Sequence, residues 1–311
     1  MDEKLFRYFP ESVREALQCA IALYGGTVDE IRMYETGNFL LVIKGVNVCT
    51  DVPCTKKILR ETIGNLCGHS LYAHEDTIRQ GYIFTKQGFR VGVAGRAVCR
   101  GDSVERITEL TSLCIRIPRR CPGASADIYP YVVSGGIPKG ALVFSPPGVG
   151  KTTVLRELAD SLSKAYFRVA LIDTRNELSY GLDGPSLDVF RGYPRPFGME
   201  TAIRVMNPQF VICDEISTSA DANAVQQCAS SGAAVIASAH GGTLADLQCQ
   251  PAIHELLESD VFQTLVRLRR SEKELIHTFY VKKGGEWCVA DSWKCAVDGG
   301  SGGDCDPVAI R

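Results

Sequence analysis

The first 120 residues carry hydrophobic and polar positions in two regular patterns. Apolar residues recur at helical spacing in some segments, and shorter alternating runs on either side of glycine turns are typical of strands and hairpins. The helical segments are SVREALQCAIAL (12–23) and TKKILRETIGNLCG (55–68), and the strand segments are EIRMYETGNFLLVIKG (30–45), GYIFTKQGFRVGVAGRAV (81–98) and SLCIRIPR (112–119). We expect turns at Thr36–Asn38 and near Gln87–Gly88. The pattern predicts a small mixed α/β domain over residues 1–120.

A different pattern begins near Gly140, where short apolar runs are continuous rather than alternating. Continuous runs are typical of strands buried on both faces, as in a parallel sheet. The helical stretches between them favour a doubly wound α/β fold. The predicted strands are ALVFS (141–145), VALID (169–173), FVICD (210–214) and AAVIASA (233–239). The pattern predicts a second domain over residues 137–270, with a mainly parallel sheet and helices on both faces.

Two further segments lie outside this alternation of strands and helices. Residues 121–136 are rich in proline, glycine and small residues, which predicts a linker between the two domains. After residue 270, two apolar runs flank Lys-Lys-Gly-Gly (282–285) and predict a hairpin. The glycine-rich end of the chain predicts a flexible tail, so that residues 271–311 are expected to form a C-terminal hairpin followed by that tail.

The composition limits the classes of protein that the sequence fits. The chain has 311 residues, of which 45% are hydrophobic and 23% charged, as is ordinary for a globular protein. The net charge of −2 predicts no strong overall attraction to nucleic acid or anionic lipid. No apolar run approaches the roughly 18 residues of a membrane span, and MDEKLFRYFPE (1–11) lacks the apolar core of a signal peptide. We therefore expect a cytoplasmic protein that can dock on a membrane partner.

The 13 cysteines do not favour a disulfide framework, because they are odd in number and irregularly spaced. A metal site formed by Cys49 and Cys54, or by Cys67 with His69 and His74, is an alternative reading. Against it, no second pair follows at the spacing of a zinc finger. We interpret the cysteines as reduced side chains that act as small apolar residues.

The segment SPPGVGKTT (145–153) has the pattern of a phosphate-binding loop. It follows the predicted strand ALVF and precedes the predicted helix TVLRELADSLSKAY (153–166), which is the required context. Its glycines allow the backbone to curl until several N–H groups converge on an anion, and the helix dipole adds positive potential. Lys151 is expected to reach the terminal phosphates, and the hydroxyl of Thr152 is expected to bind Mg²⁺. The predicted nucleotide-binding residues are Pro147, Gly148, Val149, Gly150, Lys151, Thr152 and Thr153.

The first position of this loop departs from the usual pattern, since Ser145 stands where glycine is common. Serine is small, and Pro146–Pro147 restrict the conformation in which the chain enters the loop. We therefore expect the loop to tolerate the serine.

Polar residues follow three other predicted strands of the second domain: Asp214 and Glu215, Asp173 with Glu177, and His240. Binding sites in open α/β sheets lie at the carboxyl ends of strands, so we expect these residues to gather at one edge. One of the two adjacent acids would hold Mg²⁺ and the other would polarise the attacking water. His240 would donate a hydrogen bond to the γ-phosphate. The alternatives are acids that cap the next helix and a histidine bonded to a loop carbonyl.

In this order, SPPGVGKTT, IDTRNE, NPQFVICDEI and SGAAVIASAH resemble the phosphate loop, acidic box, second acidic motif and histidine box of the type II and type IV secretion ATPases. The closer resemblance is to the stage III sporulation protein AA family of endospore-forming bacteria, over about residues 20–270. It implies a RecA-like P-loop ATPase core, ATP and Mg²⁺ as cofactors, and a homo-oligomer, usually a hexamer.

The resemblance also implies roles for individual residues. The implied catalytic residues are Glu215, Glu177 and His240, and the implied magnesium contacts are Thr152 and, directly or through water, Asp214. Thr174 stands where the sporulation family commonly carries another acid, which leaves the division of labour between Asp173 and Glu177 open. The family's N-terminal domain is thought to supply arginine fingers, for which the candidates are Arg90, Arg96 and Arg116.

The expected function is Mg-dependent ATP hydrolysis that energises a channel or secretion-like complex between mother cell and forespore. The resemblance implies membrane-bound components of that complex as partners and a peripheral location on the mother-cell side. One alternative is a nucleic-acid motor, because RecA-like cores also drive helicases. The near-neutral charge and the lack of a basic, aromatic stretch argue against nucleic acid. Another alternative is a scaffold that binds nucleotide for assembly without turnover.

Overall fold

The computed structural model describes residues 3–24, 28–85, 89–117, 121–271, 274–296 and 306–307. The chain divides into two compact units, Met1–Arg119 and Arg120–Arg311. Within these described ranges, no helix is both long enough and apolar enough to cross a membrane.

The N-terminal unit is built on an antiparallel sheet, which has six strands in the described part of the unit. These strands are β1 Glu30–Tyr34, β2 Asn38–Ile43, β3 Val46–Pro53, β4 Tyr82–Phe84, β5 Arg90–Arg100 and β6 Ser103–Arg116. They pair in the order β3-β2-β1-β6-β5-β4. The helices are α1 Glu3–Phe6, α2 Glu11–Leu23, α3 Lys56–Leu66 and α4 Glu75–Arg79, with a 3₁₀ turn at Tyr72–His74.

The predicted helices of this unit are confirmed as α2 and α3. Thr55 caps α3 by accepting a hydrogen bond from the Ile58 amide at 3.3 Å, and Gly68 follows the helix with a left-handed φ of +56°. The hairpin of β1 and β2 is also confirmed, whereas the turn predicted at Gln87–Gly88 lies outside the described residues. The sequence reasoning did not predict β3 or the first half of β6. The first half of β6 is largely exposed and has no apolar alternation. In β3, by contrast, Val46, Val48 and Val52 stand at alternate positions, and this signal was missed.

The C-terminal unit is built on a larger sheet whose strands run mainly parallel. Its strands are β9 Ala141–Ser145, β10 Val169–Asp173, β11 Leu187–Arg191, β12 Phe210–Cys213, β13 Ala234–His240, β14 Thr264–Arg270, β15 Glu274–Lys283, β16 Glu286–Ala296 and β17 Asp306–Pro307. (A separate short pair consists of β7 Val133–Ser134 and β8 Ile137–Pro138.) The order is β11-β10-β12-β13-β9-β14-β15-β16-β17, parallel from β11 to β14 and antiparallel beyond.

Helices cover both faces of this sheet. They are α5 Tyr129–Val132, α6 Lys151–Lys164, α7 Arg195–Val205, α8 Ser219–Ser230, α9 Leu244–Gln248 and α10 Pro251–Glu258. Neighbouring residues of β9 point to opposite faces: Leu142 and Phe144 pack with α7, α8 and α10, while Ala141 and Val143 pack with α6. The predicted doubly wound α/β fold is thereby confirmed.

Three features of this unit differ from the expectation. The strands β11 and β14 were not predicted, since β11 is only partly buried and β14 carries arginines among its apolar residues. The C-terminal hairpin, β15 and β16, continues the same sheet through β14. Of the predicted flexible tail, Asp306–Pro307 pairs with β16, and the rest lies outside the described residues.

The segment 121–136, for which a linker is predicted, is partly folded onto the C-terminal unit. Ile128 and Val132 are fully buried in the core beside α6. Tyr131 stacks on Phe279 of β15, with ring centroids 4.2 Å apart. The small and proline residues of this segment predicted an irregular backbone. The few apolar side chains among them, which anchor the segment to the core, were overlooked for that reason.

Candidate nucleotide site

The predicted phosphate loop lies at the carboxyl end of β9, between the parallel neighbours β13 and β14. Gly148 and Gly150 have φ of +76° and +125°, and these backbone conformations are strained for a residue that has a side chain. No atom lies within 4 Å of a Cβ added at either glycine. Glycine is therefore favoured at both positions by the backbone conformation and not by a lack of space. Helix α6 begins at Lys151, earlier than predicted, and its amino end adjoins the loop. The loop also contains Pro147 and Val149, and the first turn of α6 contains Thr152 and Thr153.

The serine at the start of the loop is accommodated by its own hydrogen bonds. Ser145 is fully buried. Its hydroxyl donates to the carbonyl oxygen of Pro146 at 2.8 Å and accepts from Lys151 Nζ at 3.3 Å. A buried hydroxyl with both a donor and an acceptor as partners carries little desolvation penalty, which explains why serine fits here.

The ammonium group of Lys151 is held at the base of the loop. Its Nζ donates to the carbonyl oxygens of Ser145 at 2.9 Å and Pro146 at 3.2 Å, and the residue is only 6% exposed. Burial lowers the pKa of Lys151, while the nearby carboxylates of Asp214 and Glu215 act in the opposite direction. The side chain is therefore a buried positive charge next to two acids at the mouth of the loop.

The first acid after β12 connects α6 to β13. Thr152 Oγ1 donates to Asp214 Oδ2 at 2.8 Å, and the hydroxyl of Ser238 donates to Asp214 Oδ1. The backbone amide of Glu215 donates to Ser238 Oγ at 3.0 Å. Sequence reasoning missed Ser238, although it is the one polar residue of the run AAVIASA. Hydroxyl and carboxylate oxygens are the ligands that Mg²⁺ prefers, so Thr152 and Asp214 fit the predicted magnesium contacts.

Glu215 and His240 meet beside the loop. Glu215 Oε1 contacts His240 Nε2, and Lys151 Nζ lies 3.2 Å from His240 Nδ1. An ammonium group only donates, so Nδ1 is the acceptor and the imidazole proton resides on Nε2, facing the carboxylate. The other oxygen, Glu215 Oε2, forms an ion pair with Nη1 of Arg175. The resulting row of side chains runs Lys151, His240, Glu215, Arg175, and we call it the polar row.

Arg175 is the member of the polar row that sequence reasoning missed. It lies in the motif IDTRNE, two positions after the end of β10, and this placement at a strand end was the available signal. Glu215 itself has a φ of +58°, a left-handed backbone that is uncommon for residues other than glycine, asparagine and aspartate. The chain therefore turns sharply where β12 ends.

The two acids of the acidic box, Asp173 and Glu177, have different surroundings. Asp173 is 1% exposed, and its carboxylate accepts hydrogen bonds from the amides of Glu177 at 2.8 Å, Leu178 at 3.1 Å and Ser179 at 2.8 Å. These contacts make Asp173 the anchor of the loop after β10. Glu177 is half-buried, and its carbonyl oxygen accepts from Arg156 of α6. Its catalytic role stays a prediction.

The three candidate arginine fingers lie in the N-terminal unit, and each has a partner there. The guanidinium of Arg90 lies 5.0 Å from the ring centroid of Tyr82, Arg96 Nε lies 3.5 Å from Glu109 Oε2, and Arg116 Nε lies 3.6 Å from Glu30 Oε1. The side chains of Arg96 and Arg116 remain 73% and 70% exposed, so their ion pairs hold them weakly. A role at the nucleotide stays a prediction for all three.

The alternative of a cysteine metal site gains no support. The part of the chain that the structure describes contains no group of three or more His, Cys, Asp or Glu side chains placed to hold a metal ion. Cys54 and Cys67 are buried, and burial raises the pKa of both thiols, to about 11 for Cys67. Both thiols are protonated at neutral pH and pack as apolar groups.

The fold and the site define a class of protein. A phosphate loop on a central parallel strand, with acids after two other parallel strands of the same sheet, β10 and β12, is the arrangement of RecA-like P-loop proteins, here with the fold of the secretion ATPases. The chain belongs to the family described as "Sporulation stage III, protein AA", which it matches over residues 2–286.

A relative agrees with this assignment, and solved structures agree with the fold. The chain is 29% identical to stage III sporulation protein AA of Bacillus subtilis (strain 168) over 275 residues, which are 85% of this chain and 89% of the relative. Its fold is similar to the ATPase DotB of Legionella pneumophila, with a TM-score of 0.60, 14% identity and coverage of 89% of this chain and 82% of DotB. The pilus retraction motor PilT with bound ADP gives a TM-score of 0.60, 15% identity and coverage of 86% and 82%.

Proposed function

We propose that this protein hydrolyses ATP with Mg²⁺ as a homo-oligomer, with a hexamer as the expected form, and thereby energises a membrane-bound sporulation complex. The observation that carries the proposal is the meeting of Lys151, His240 and Glu215 beside a phosphate loop whose Thr152 contacts Asp214. Charge, oxygen ligands and a carboxylate are the parts that phosphoryl transfer requires, because its catalysis consists mainly of positioning and charge stabilisation.

Each residue would have a distinct task in the reaction. Lys151 would exchange its contacts with the loop carbonyls for phosphate oxygens, and Thr152 and Asp214 would hold Mg²⁺. When bound, Mg²⁺ neutralises charge on the β- and γ-phosphates. Glu215 would orient a water whose oxygen bonds to the γ-phosphorus as the bond to the β–γ bridging oxygen breaks. ADP leaves with the electrons of that bond, and the water's protons pass to inorganic phosphate and, through Glu215, to solvent.

The biological setting of the proposal rests on the family. The Bacillus subtilis relative is named as a stage III sporulation protein, and the fold is similar to that of a pilus retraction motor. We place the protein at the mother-cell side of a channel or secretion-like complex, with membrane-bound components as partners. One of Arg90, Arg96 and Arg116 would supply positive charge to the nucleotide.

The proposal is tested with Lys151→Ala and Glu215→Gln. Lys151→Ala should lower turnover by at least about 100-fold, since it removes a charge that acts on the transferred phosphate. Glu215→Gln should retain nucleotide binding and lower turnover by at least about 100-fold, since it removes the carboxylate that orients water. Turnover and nucleotide affinity are measured on protein whose molecular mass is determined in the same buffer, with and without Mg²⁺ and ATP.

Lys164→Ala is the matched control, because Lys164 is exposed at the far end of the same helix, where it pairs with Asp160. It should leave both measurements unchanged. Undiminished turnover in Lys151→Ala would refute the site. Nucleotide binding by the wild type without turnover would favour the scaffold, and turnover stimulated by single-stranded DNA or RNA with steep salt dependence would favour a nucleic-acid motor.

A further inference from the structure

Arg175 combines a fixed backbone with an exposed side chain. Its loop is anchored by Asp173, which accepts the amides of Glu177 and Ser179 at 2.8 Å each. The side chain of Arg175 is 61% exposed and reaches across to pair with Glu215. An exposed ion pair is weak, so Arg175 can exchange one anionic partner for another at little cost.

Both carboxylate oxygens of Glu215 are bonded to protein donors. Oε1 contacts Nε2 of His240, and Oε2 contacts Nη1 of Arg175. A carboxylate that polarises an attacking water has to offer an oxygen to that water. Glu215 is therefore well positioned, but each of its oxygens already accepts from a protein donor, and the departure of one donor would make that oxygen a stronger acceptor for the water.

Arg175 is the donor with the greater freedom to leave. His240 is tied at a second point, because its Nδ1 contacts Lys151, and its carbonyl oxygen accepts from Gln250 at 2.7 Å. Its side chain is also the less exposed of the two, at 44% against 61% for Arg175. A guanidinium binds phosphate oxygens through two parallel N–H donors, so a terminal phosphate held by Lys151 would compete directly with Glu215 for Arg175.

We infer that Arg175 binds the γ-phosphate when it is present and positions Glu215 when it is absent. In the nucleotide-free or ADP-bound protein it holds Glu215, and on binding of a nucleoside triphosphate it moves to the terminal phosphate. One oxygen of Glu215 then becomes free for the attacking water. This inference rests on the proposed function and adds to it a residue of the same protomer that distinguishes triphosphate from diphosphate.

The test compares the affinities of Mg-ADP and of the non-hydrolysable analogue Mg-AMP-PNP in Arg175→Ala and Arg175→Lys. Arg175→Ala should weaken AMP-PNP by about tenfold or more, the usual effect of losing a hydrogen bond to a charged group, and should leave ADP within about twofold. Arg175→Lys should fall between the wild type and alanine, because lysine keeps the charge but loses the paired donors. Arg168→Ala is the matched control, since Arg168 is exposed and bonded to the Asn207 carbonyl at the opposite end of β10. It should change neither affinity.

The outcomes separate this inference from the proposed function. If Arg175→Ala weakens both nucleotides alike, Arg175 only supports the loop, and the inference is overturned. It is also overturned if neither affinity changes, whatever happens to turnover. If the wild type binds both nucleotides without turnover, the proposed hydrolysis fails, but a selective loss of AMP-PNP in Arg175→Ala still supports the phosphate contact. If the wild type binds neither nucleotide, both proposals fall.

Discussion

The backbone of Glu215, which carries a carboxylate of the site, has a conformation that lowers stability for any residue with a side chain. Its φ of +58° is left-handed, which costs an L-residue about 1–2 kcal/mol and costs glycine nothing. We therefore expect Glu215→Gly to unfold at higher urea concentration than Glu215→Ala, with a difference of about 1 kcal/mol in the free energy of unfolding. The measurement is urea unfolding of both variants at one fixed protein concentration.

Glu255 provides the control for this comparison, because it lies inside α10 with an ordinary helical backbone. There the order should reverse, since glycine in a helix interior is about 1 kcal/mol less stable than alanine. If alanine is the more stable substitution at both positions, the backbone at Glu215 is not strained. A sharp turn at the cost of stability is typical of a functional position, where one side chain has to point in one direction.

At the scale of elements, a buried ion pair joins the start of α7 to the first turn of α8. Asp221 closes the capping box with Thr218 and accepts from Arg195 at 2.8 Å, with side-chain exposures of 14% for Arg195 and 3% for Asp221. Burial acts to raise the pKa of Asp221, but the hydrogen bonds from the Thr218 amide, Arg195 and the Ser217 amide outweigh it, so the pKa lies below the ordinary 3.8.

Asp221→Ala should lower the free energy of unfolding by about 3 kcal/mol at neutral pH, because it leaves Arg195 buried without its partner and removes the carboxylate that accepts from the Ser217 and Thr218 amides in the capping box. The folded pKa lies below the unfolded one, so this contribution is fully present above pH 3.8 and is lost as the pH falls through the folded pKa. Urea unfolding of wild type and variant at several pH values measures both effects.

Asp246→Ala is the matched control, since Asp246 closes the same kind of capping box with Thr243 at the start of α9 but is exposed. Its loss of stability should be smaller than that of Asp221→Ala. Equal losses would mean that the cap alone accounts for the effect, and that the pair with Arg195 contributes nothing.

The same scale explains what the sequence could predict. The phosphate loop was predictable because glycines, Lys151 and Thr152 act within one short segment between a strand and a helix. The contacts of Arg175 with Glu215 and of Ser238 with Asp214 join the ends of different strands. They depend on the order β10-β12-β13, and strand order is set by long-range packing rather than by local periodicity.

At the scale of the whole molecule, the proposed oligomer raises the question of whether one protomer completes the site of another. Arg96 and Arg116 are exposed and weakly paired, and Arg90 lies over an aromatic ring, so alanine variants of all three should fold. We expect at least one of these variants to bind nucleotide with normal affinity and to lose turnover, because a finger arginine acts on charge that develops in the transition state. Normal turnover in all three would contradict the prediction of arginine fingers.

Mixing experiments then show where that arginine acts. The inactive arginine variant has an intact Lys151, and Lys151→Ala has an intact arginine. If the finger is supplied by a neighbouring protomer, subunit exchange between the two creates some sites with both residues, and turnover should return in part. The control is each variant mixed with itself, which should stay inactive. If the mixed protein exchanges subunits, as followed by mass, and remains inactive, the arginine acts on the nucleotide of its own chain, and the oligomer has to contribute to turnover in another way.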